Sequence, residues 1–369
     1  MPSCAEEADG KTRLPHLVST PATIVAIPVR DEAERVEACL TALAAQTDPP
    51  TAVLVLLNNC RDDTGAIAQS VSLPFPLLIE TRDWPAARAS AGRARRIAMR
   101  LAAERAGKGG MLLTTDADTV VPPDWIARNR RALRAGADVV CGRIVVDPVE
   151  AELIPLHLHA DDARETTLIT LLDEIAWLLD PDPADPWPRH TEASGATLAV
   201  STEAFFAVGG IPDQPSGEDR AFVAALRRRD ARIRHDPGIA VTVSGRIEGH
   251  TPGGMADTIR RRMVQQDLWT DDQVEPAEDA LRRADLRRRC RWRWEGTPVP
   301  DLAAALELPD GVLATCLDHP FFGAAWHALE QCSPVLQRRR VRFVDLPQEI
   351  AQARVILTRL RAAVREVES

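Results

Sequence analysis

A chain of 369 residues has room for one large domain and a smaller appendage, and its 45% hydrophobic and 27% charged residues are ordinary for a soluble globular protein. A formal net charge of −9 opposes broad nucleic-acid binding, which needs a concentrated positive field. Seven scattered cysteines, odd in number and without a C-x-x-C pair, oppose a disulfide framework or a structural zinc site and fit a reducing cytoplasm.

Residues 1–20 carry Glu6, Glu7 and Asp9 and no long apolar stretch, so they read as a flexible tail rather than a signal peptide. No apolar run reaches the roughly 18 residues of a membrane span. From residue 22 the chain alternates strand and helix. Thr23–Ile27 is a short buried strand, and Asp31 opens a helix with Val36, Leu40 and Leu43 on one face. Val53–Leu57 is a second buried strand, followed by a polar loop and a short helix near 62–70. Leu77–Ile79 is a third strand, 86–105 a strong helix, and Met111–Thr115 a fourth strand. A helix with Trp125, Ile126 and Leu133 follows, then strand Val139-Val140, a largely helical stretch 150–180, and a Pro-rich loop 181–188. Continuous apolar strands alternating with amphipathic helices predict an α/β fold with a mainly parallel sheet covered on both faces. In such sheets ligands bind outside the carboxyl ends of the strands.

Asp116-Ala117-Asp118 stands at such an end, just after the fourth strand. If the segment is extended, both carboxylates face one space and Ala117 turns away. Converging carboxylates call for a cation, and hard oxygen ligands favour Mg²⁺ or Mn²⁺ arriving with a phosphate-bearing substrate. A turn or helix cap built from Asp is the plain alternative. Pro28-Val29-Arg30-Asp31-Glu32 after the first strand is no glycine-rich turn, so the dinucleotide-binding fingerprint is missing, as is a Walker A loop.

Four motifs in order resemble the family 2 glycosyltransferases: Pro28–Glu32, Asn58-Asn59-Cys60-Arg61-Asp62-Asp63-Thr64, Asp116–Asp118 and Gly217-Glu218-Asp219. The resemblance spans about 22–250 and implies the nucleotide-diphospho-sugar transferase fold, GT-A, over 21–264. It implies that Pro28, Val29, Arg30 and Glu32 line the base and ribose, and that Asn58 meets the base edge where the family usually has Asp. It implies an arginine at the start of the 86–105 helix near the diphosphate, with Arg95 chosen among Arg88, Arg93, Arg95 and Arg96. Asp116, Ala117 and Asp118 would hold ribose and metal, with Asp118 on the ion and His250 as a further ligand. Asp219, beside Glu218, would be the general base of an inverting transfer. The small-residue stretch 192–200 would line the acceptor pocket, with Trp187 and His190 before it. Each has a structural alternative: helix capping for Asp31 and Glu32, dipole matching for Glu218 and Asp219, close strand packing for 192–200, a surface role for His250.

The expected reaction is metal-dependent transfer of a sugar from a UDP- or GDP-sugar to a hydroxyl acceptor in the cytoplasm. Rival readings are a non-catalytic sugar-nucleotide sensor or scaffold, and a retaining transferase related to phosphoglycerate glucosylation. Nucleotidyl transfer would need a glycine-rich basic loop after strand one, which is absent. Residues 265–369 read as a helical C-terminal extension with helices at 277–290, 301–307, 321–331 and from 346. Its Arg338-Arg339-Arg340 run with Arg342 is a solvated helix end or a point of peripheral membrane contact, and Trp292 and Trp294 are expected to pack the extension onto the core.

Overall fold

The computed structural model describes residues 21–247, 249 and 254–368; the tail 1–20 and His250 lie outside the described residues. Eight strands form one sheet: β1 (Thr23–Val29), β2 (Ala52–Asn58), β3 (Leu77–Arg82), β4 (Met111–Thr114), β5 (Thr119–Val120), β6 (Val139–Val146), β7 (Leu198–Ser201) and β8 (Ile233–Val243). Their order is β3-β2-β1-β4-β7-β6-β8-β5. The first four are parallel, β7 runs antiparallel to both β4 and β6, β6 and β8 are parallel, and β5 closes the edge antiparallel to β8. The expected α/β sheet is therefore present: six of its eight strands run in one direction, and β7 and β5 oppose them.

Helices α1 (Val36–Ala44), α2 (Thr64–Ser70), α3 (Ala91–Ala106) and α4 (Trp125–Arg134) cover it. Alternation along each strand sends side chains to two cores. Val25, Ile27, Val53 and Val55 meet Leu40, Leu43 and Trp125 on one face. Ile24, Ala26, Leu54 and Leu56 meet Ala98, Met99 and Ala102 of α3 on the other. Asp31 does not open α1. It takes a left-handed backbone (φ 53°), its carboxylate accepts the Arg61 N–H at 2.6 Å, and the helix starts at Val36.

The helix Leu156–Leu179, inserted between β6 and β7, serves neither of those cores. Its Leu168 and Ile175 join Val274, Ala277, Phe343, Leu346 and Ile356 in a third cluster with the C-terminal helices Ala277–Trp294 and Leu346–Glu368. The C-terminal segment also docks on the sheet's side through Asp230, whose carboxylate accepts the Phe322 and Gly323 N–H groups at 2.6 and 2.7 Å. Gly323 sits so close that a Cβ would lie 1.9 Å from the Arg227 carbonyl oxygen. The tryptophans do not perform the docking. Trp292 is exposed, and Trp294 packs on Phe322 and donates to the His319 carbonyl within the segment itself. The basic run is neutralised locally: Arg338 pairs with Glu275, Arg339 with Asp279 and Arg342 with Asp345. No described helix is long and apolar enough to cross a membrane.

Candidate functional site

A cavity of about 310 Å³ opens beyond the carboxyl ends of β1, β2 and β4. Of the residues singled out in the sequence, Pro28, Val29, Arg30, Glu32, Asn58, Arg95, Asp116, Ala117, Asp118, Glu218 and Asp219 all border it. His250 lies outside the described residues. Arg88, Arg93 and Arg96 do not border it: Arg93 lies over the Trp84 ring and Arg96 pairs with Asp213.

The acidic triplet is a turn, not the end of a strand. β4 stops at Thr114, and the Thr119 N–H returns to the Asp116 carbonyl at 3.2 Å. The two carboxylates border one cavity but take different partners. Asp116 accepts from Arg95 Nη2 at 2.6 Å, while Asp118 lies 3.2 Å from Arg246 Nη2. Ala117 turns into the core as expected, 3% exposed.

Arg95 is the hub. It comes from the second turn of α3, is 6% exposed, and donates to four groups from widely separated parts of the chain. Nε reaches Glu218 at 2.8 Å, Nη1 reaches Thr114 Oγ1 at 2.8 Å and the Gly195 carbonyl at 2.9 Å, and Nη2 reaches Asp116. Asp116 and Glu218 hold the guanidinium charged against the burial that opposes it. Glu218 is thereby drawn inward, 5% exposed, while Asp219 at the next position of the same helix start keeps a carboxylate in the cavity. One Asp219 oxygen accepts the Gly195 N–H at 2.8 Å, the other its neighbour's, Arg220, at 2.7 Å. Gly195 thus links Arg95 to Asp219, and a Cβ there would sit 2.3 Å from the guanidinium carbon. Small residues at this place make room for a protein arginine.

Glu32 and Asp118 share a second cation. Arg246 donates from Nη1 to Glu32 at 2.8 Å and makes a further short bond from Nη2. Burial, Asp116 and Glu32 push the Asp118 carboxyl up to about 7, with Arg246 opposing. Arg246 is aimed by its loop. Glu150 accepts from Ser244 Oγ at 2.8 Å and from the Gly245 N–H at 2.6 Å, and is itself held by Arg35 at 2.8 Å. The two acidic partners of Arg246 lie over a hundred positions away in the sequence.

Asn58 borders the cavity but is 2% exposed, and its Oδ1 is buried with no hydrogen-bond partner among the described residues. Ser90 caps α3 by accepting the Arg93 N–H, so the N-terminal end of a 16-residue helix faces the cavity at Ser90 and Ala91. Asp31, Cys60 and Asp62 bring one potential ligand atom each within 4.8 Å, but both carboxylates already accept backbone N–H groups of Arg61, Ala33 and Thr64. Trp187 packs on Trp177 and His190 on His235, away from the cavity.

Residues 24–185 match the model of the family described as glycosyl transferase family 2. No curated protein matches the chain. Among solved structures it is similar to S. aureus TarS 1–349 in complex with UDP-GlcNAc, at 14% identity over 84% of this chain and 91% of that one, with a TM-score of 0.46. It is also similar to glucosyl-3-phosphoglycerate synthase from Mycobacterium tuberculosis in complex with Mn²⁺, UDP and phosphoglyceric acid, at 16% identity over 76% and 80% of the two chains, with a TM-score of 0.40. The matched segment supplies β1 to β6 and the acidic turn, so the likeness to glycosyl transferase family 2 read from the motifs holds over residues 24–185.

Proposed function

We propose that the cavity binds a nucleoside diphosphate sugar with a divalent cation and transfers the sugar, with inversion, to an acceptor hydroxyl. The observation that carries this reading is the bonded chain Asp116–Arg95–Gly195–Asp219, which couples the acidic turn to a carboxylate in the same cavity. The acceptor oxygen attacks the anomeric carbon and its proton passes to Asp219. The bond from that carbon to the diphosphate oxygen breaks, and the nucleoside diphosphate leaves with the electron pair. Asp219 Oδ2 is oriented for this by the Gly195 N–H.

The donor set suits Mg²⁺ or Mn²⁺. Asp118 and Asp116 offer hard oxygen ligands, and the raised Asp118 marks negative charge that its surroundings leave under-compensated. When bound there, the ion supplies Lewis-acid stabilisation of the departing diphosphate. Asn58 borders the cavity on the side of the base, and the N-terminal end of α3 favours the diphosphate's charge. UDP- and GDP-sugars both meet these requirements.

The test is a panel of UDP- and GDP-sugars with Mn²⁺ or Mg²⁺, scored for release of the nucleoside diphosphate. Asp219→Asn should lower kcat by roughly 10²–10⁴-fold with the melting temperature little changed, the span expected for loss of a general base. Turnover unchanged in that variant would exclude Asp219 as the base.

A further inference from the structure

We propose that Arg246 is a built-in counter-cation that competes with the divalent metal for Asp118, so that the metal binds tightly only together with a diphosphate. The inference rests on Asp118 as a cation ligand and adds what this chain does in the cation's absence.

Three observations carry it. The guanidinium bridges Glu32 and Asp118, the second of which is the carboxylate turned away from Arg95, so it lies against the oxygens a metal would use. The bridge is constructed. Glu150, held by Arg35, ties down Ser244 and Gly245, and Gly245 is pressed so near Val146 that a Cβ would lie 2.6 Å from its side chain. A loop fastened on both preceding residues aims Arg246 at the cavity. Finally, the other cavity-facing acid of the turn, Asp116, is paired through one oxygen with buried Arg95, whereas Arg246 keeps 22% of its side chain exposed. One cation is built in and the other is placed where it can leave.

Arginine suits both positions. Its planar fork pairs with carboxylates, and the same fork binds phosphate oxygens bidentately. A metal entering alone must displace the guanidinium from Asp118 and leave it with Glu32 as its one carboxylate partner. A metal entering with a nucleoside diphosphate brings oxyanions to which the guanidinium can turn.

The experiment is Mn²⁺ binding to the full chain, followed by the paramagnetic resonance of free Mn²⁺, with and without UDP and with no turnover involved. Wild type should bind MnCl₂ weakly alone and at least about tenfold more tightly with UDP. Arg246→Gln should bind MnCl₂ alone at least about tenfold more tightly than wild type, and adding Asp118→Asn should abolish that gain. Arg246→Lys, with a single ammonium in place of the fork, should fall between, and serves if the Gln variant fails to fold. Equal Mn²⁺ affinity in wild type, Arg246→Gln and Arg246→Lys, with binding still lost in Asp118→Asn, overturns the counter-cation while leaving the metal site standing. No Mn²⁺ binding in any variant, with or without UDP, overturns the metal site and the counter-cation together.

Discussion

Arg95 carries more of the site than its place in an arginine-rich helix suggests. Its four bonds hold together Thr114 at the end of β4, Asp116 in the acidic turn, Gly195 before β7 and Glu218 at a helix start. Removing a buried charge leaves its partners uncompensated, and Glu218 at 5% exposure is largely cut off from water. Arg95→Met should therefore cost about 3–5 kcal/mol in urea unfolding, the range for breaking one side of a buried pair. A loss below about 1 kcal/mol, the value of an exposed pair, would show that the hub is not structural. Such a role was hidden in the sequence, because Arg95 and Glu218 stand 123 positions apart. Asp116, Asp118 and Asp219 were legible as a set, since their motifs follow strands and helix starts in a fixed order, but which acid faces which cation depends on packing.

At the scale of elements, the loop 181–191 is fastened to β8 through an imidazole pair. His235 of β8 is 4% exposed, with Nδ1 against Asp185 at 2.7 Å, and the His190 ring stands edge-on to it at 5.6 Å. Burial, then the neighbouring His235, lowers the His190 imidazole from 6.5 to about 4. The unfolded chain thus takes up a proton as the pH falls below 6.5, while the folded chain does so only near 4. The stability linked to His190 is complete above the first value and lost on approaching the second. Melting temperature should fall between about pH 7 and pH 5, and fall less in His190→Gln, because the unfolded chain loses that proton site. Parallel declines in the two proteins would contradict the assignment.

Element prediction succeeded where burial was on both faces. β1, β2 and β4 are near-continuous apolar runs and stand where expected. β6 was expected only at Val139-Val140 but runs to Val146, because a register shift at Gly142 lets Arg143 face outward without ending the strand. β8 starts at Ile233, six residues before its apolar run, since Arg234, His235 and Asp236 find partners or solvent at the sheet's end. β5 has two residues and no pattern to detect. Strand direction was equally unreadable: Leu198–Ser201 looks the same running either way, and it is the strand that turns the sheet from parallel to mixed.

For the molecule as a whole, we propose that the helical segment 265–369 and the sheet domain form one cooperative unit rather than separable domains. The helix Leu156–Leu179 lies inside the sheet domain's chain but buries Leu168 and Ile175 against the C-terminal helices. Asp180 at its end is paired with Arg287 and Arg291. Residues 1–264 expressed alone should expose this apolar face and aggregate or melt at least several degrees lower, since each buried Leu or Ile is worth about 2 kcal/mol. An unchanged melting temperature for that fragment would establish two independent units. The central claim concerns Asp118 and the cation that would join a diphosphate to this cavity. Its most direct test is calorimetric titration of UDP and of GDP into wild type and Asp118→Asn, with Mn²⁺ and then with a chelator. The expected result is binding of at least one of the two that weakens at least about tenfold, roughly 1.4 kcal/mol, on chelation or in Asp118→Asn. Affinity indifferent to both metal and Asp118 would contradict it.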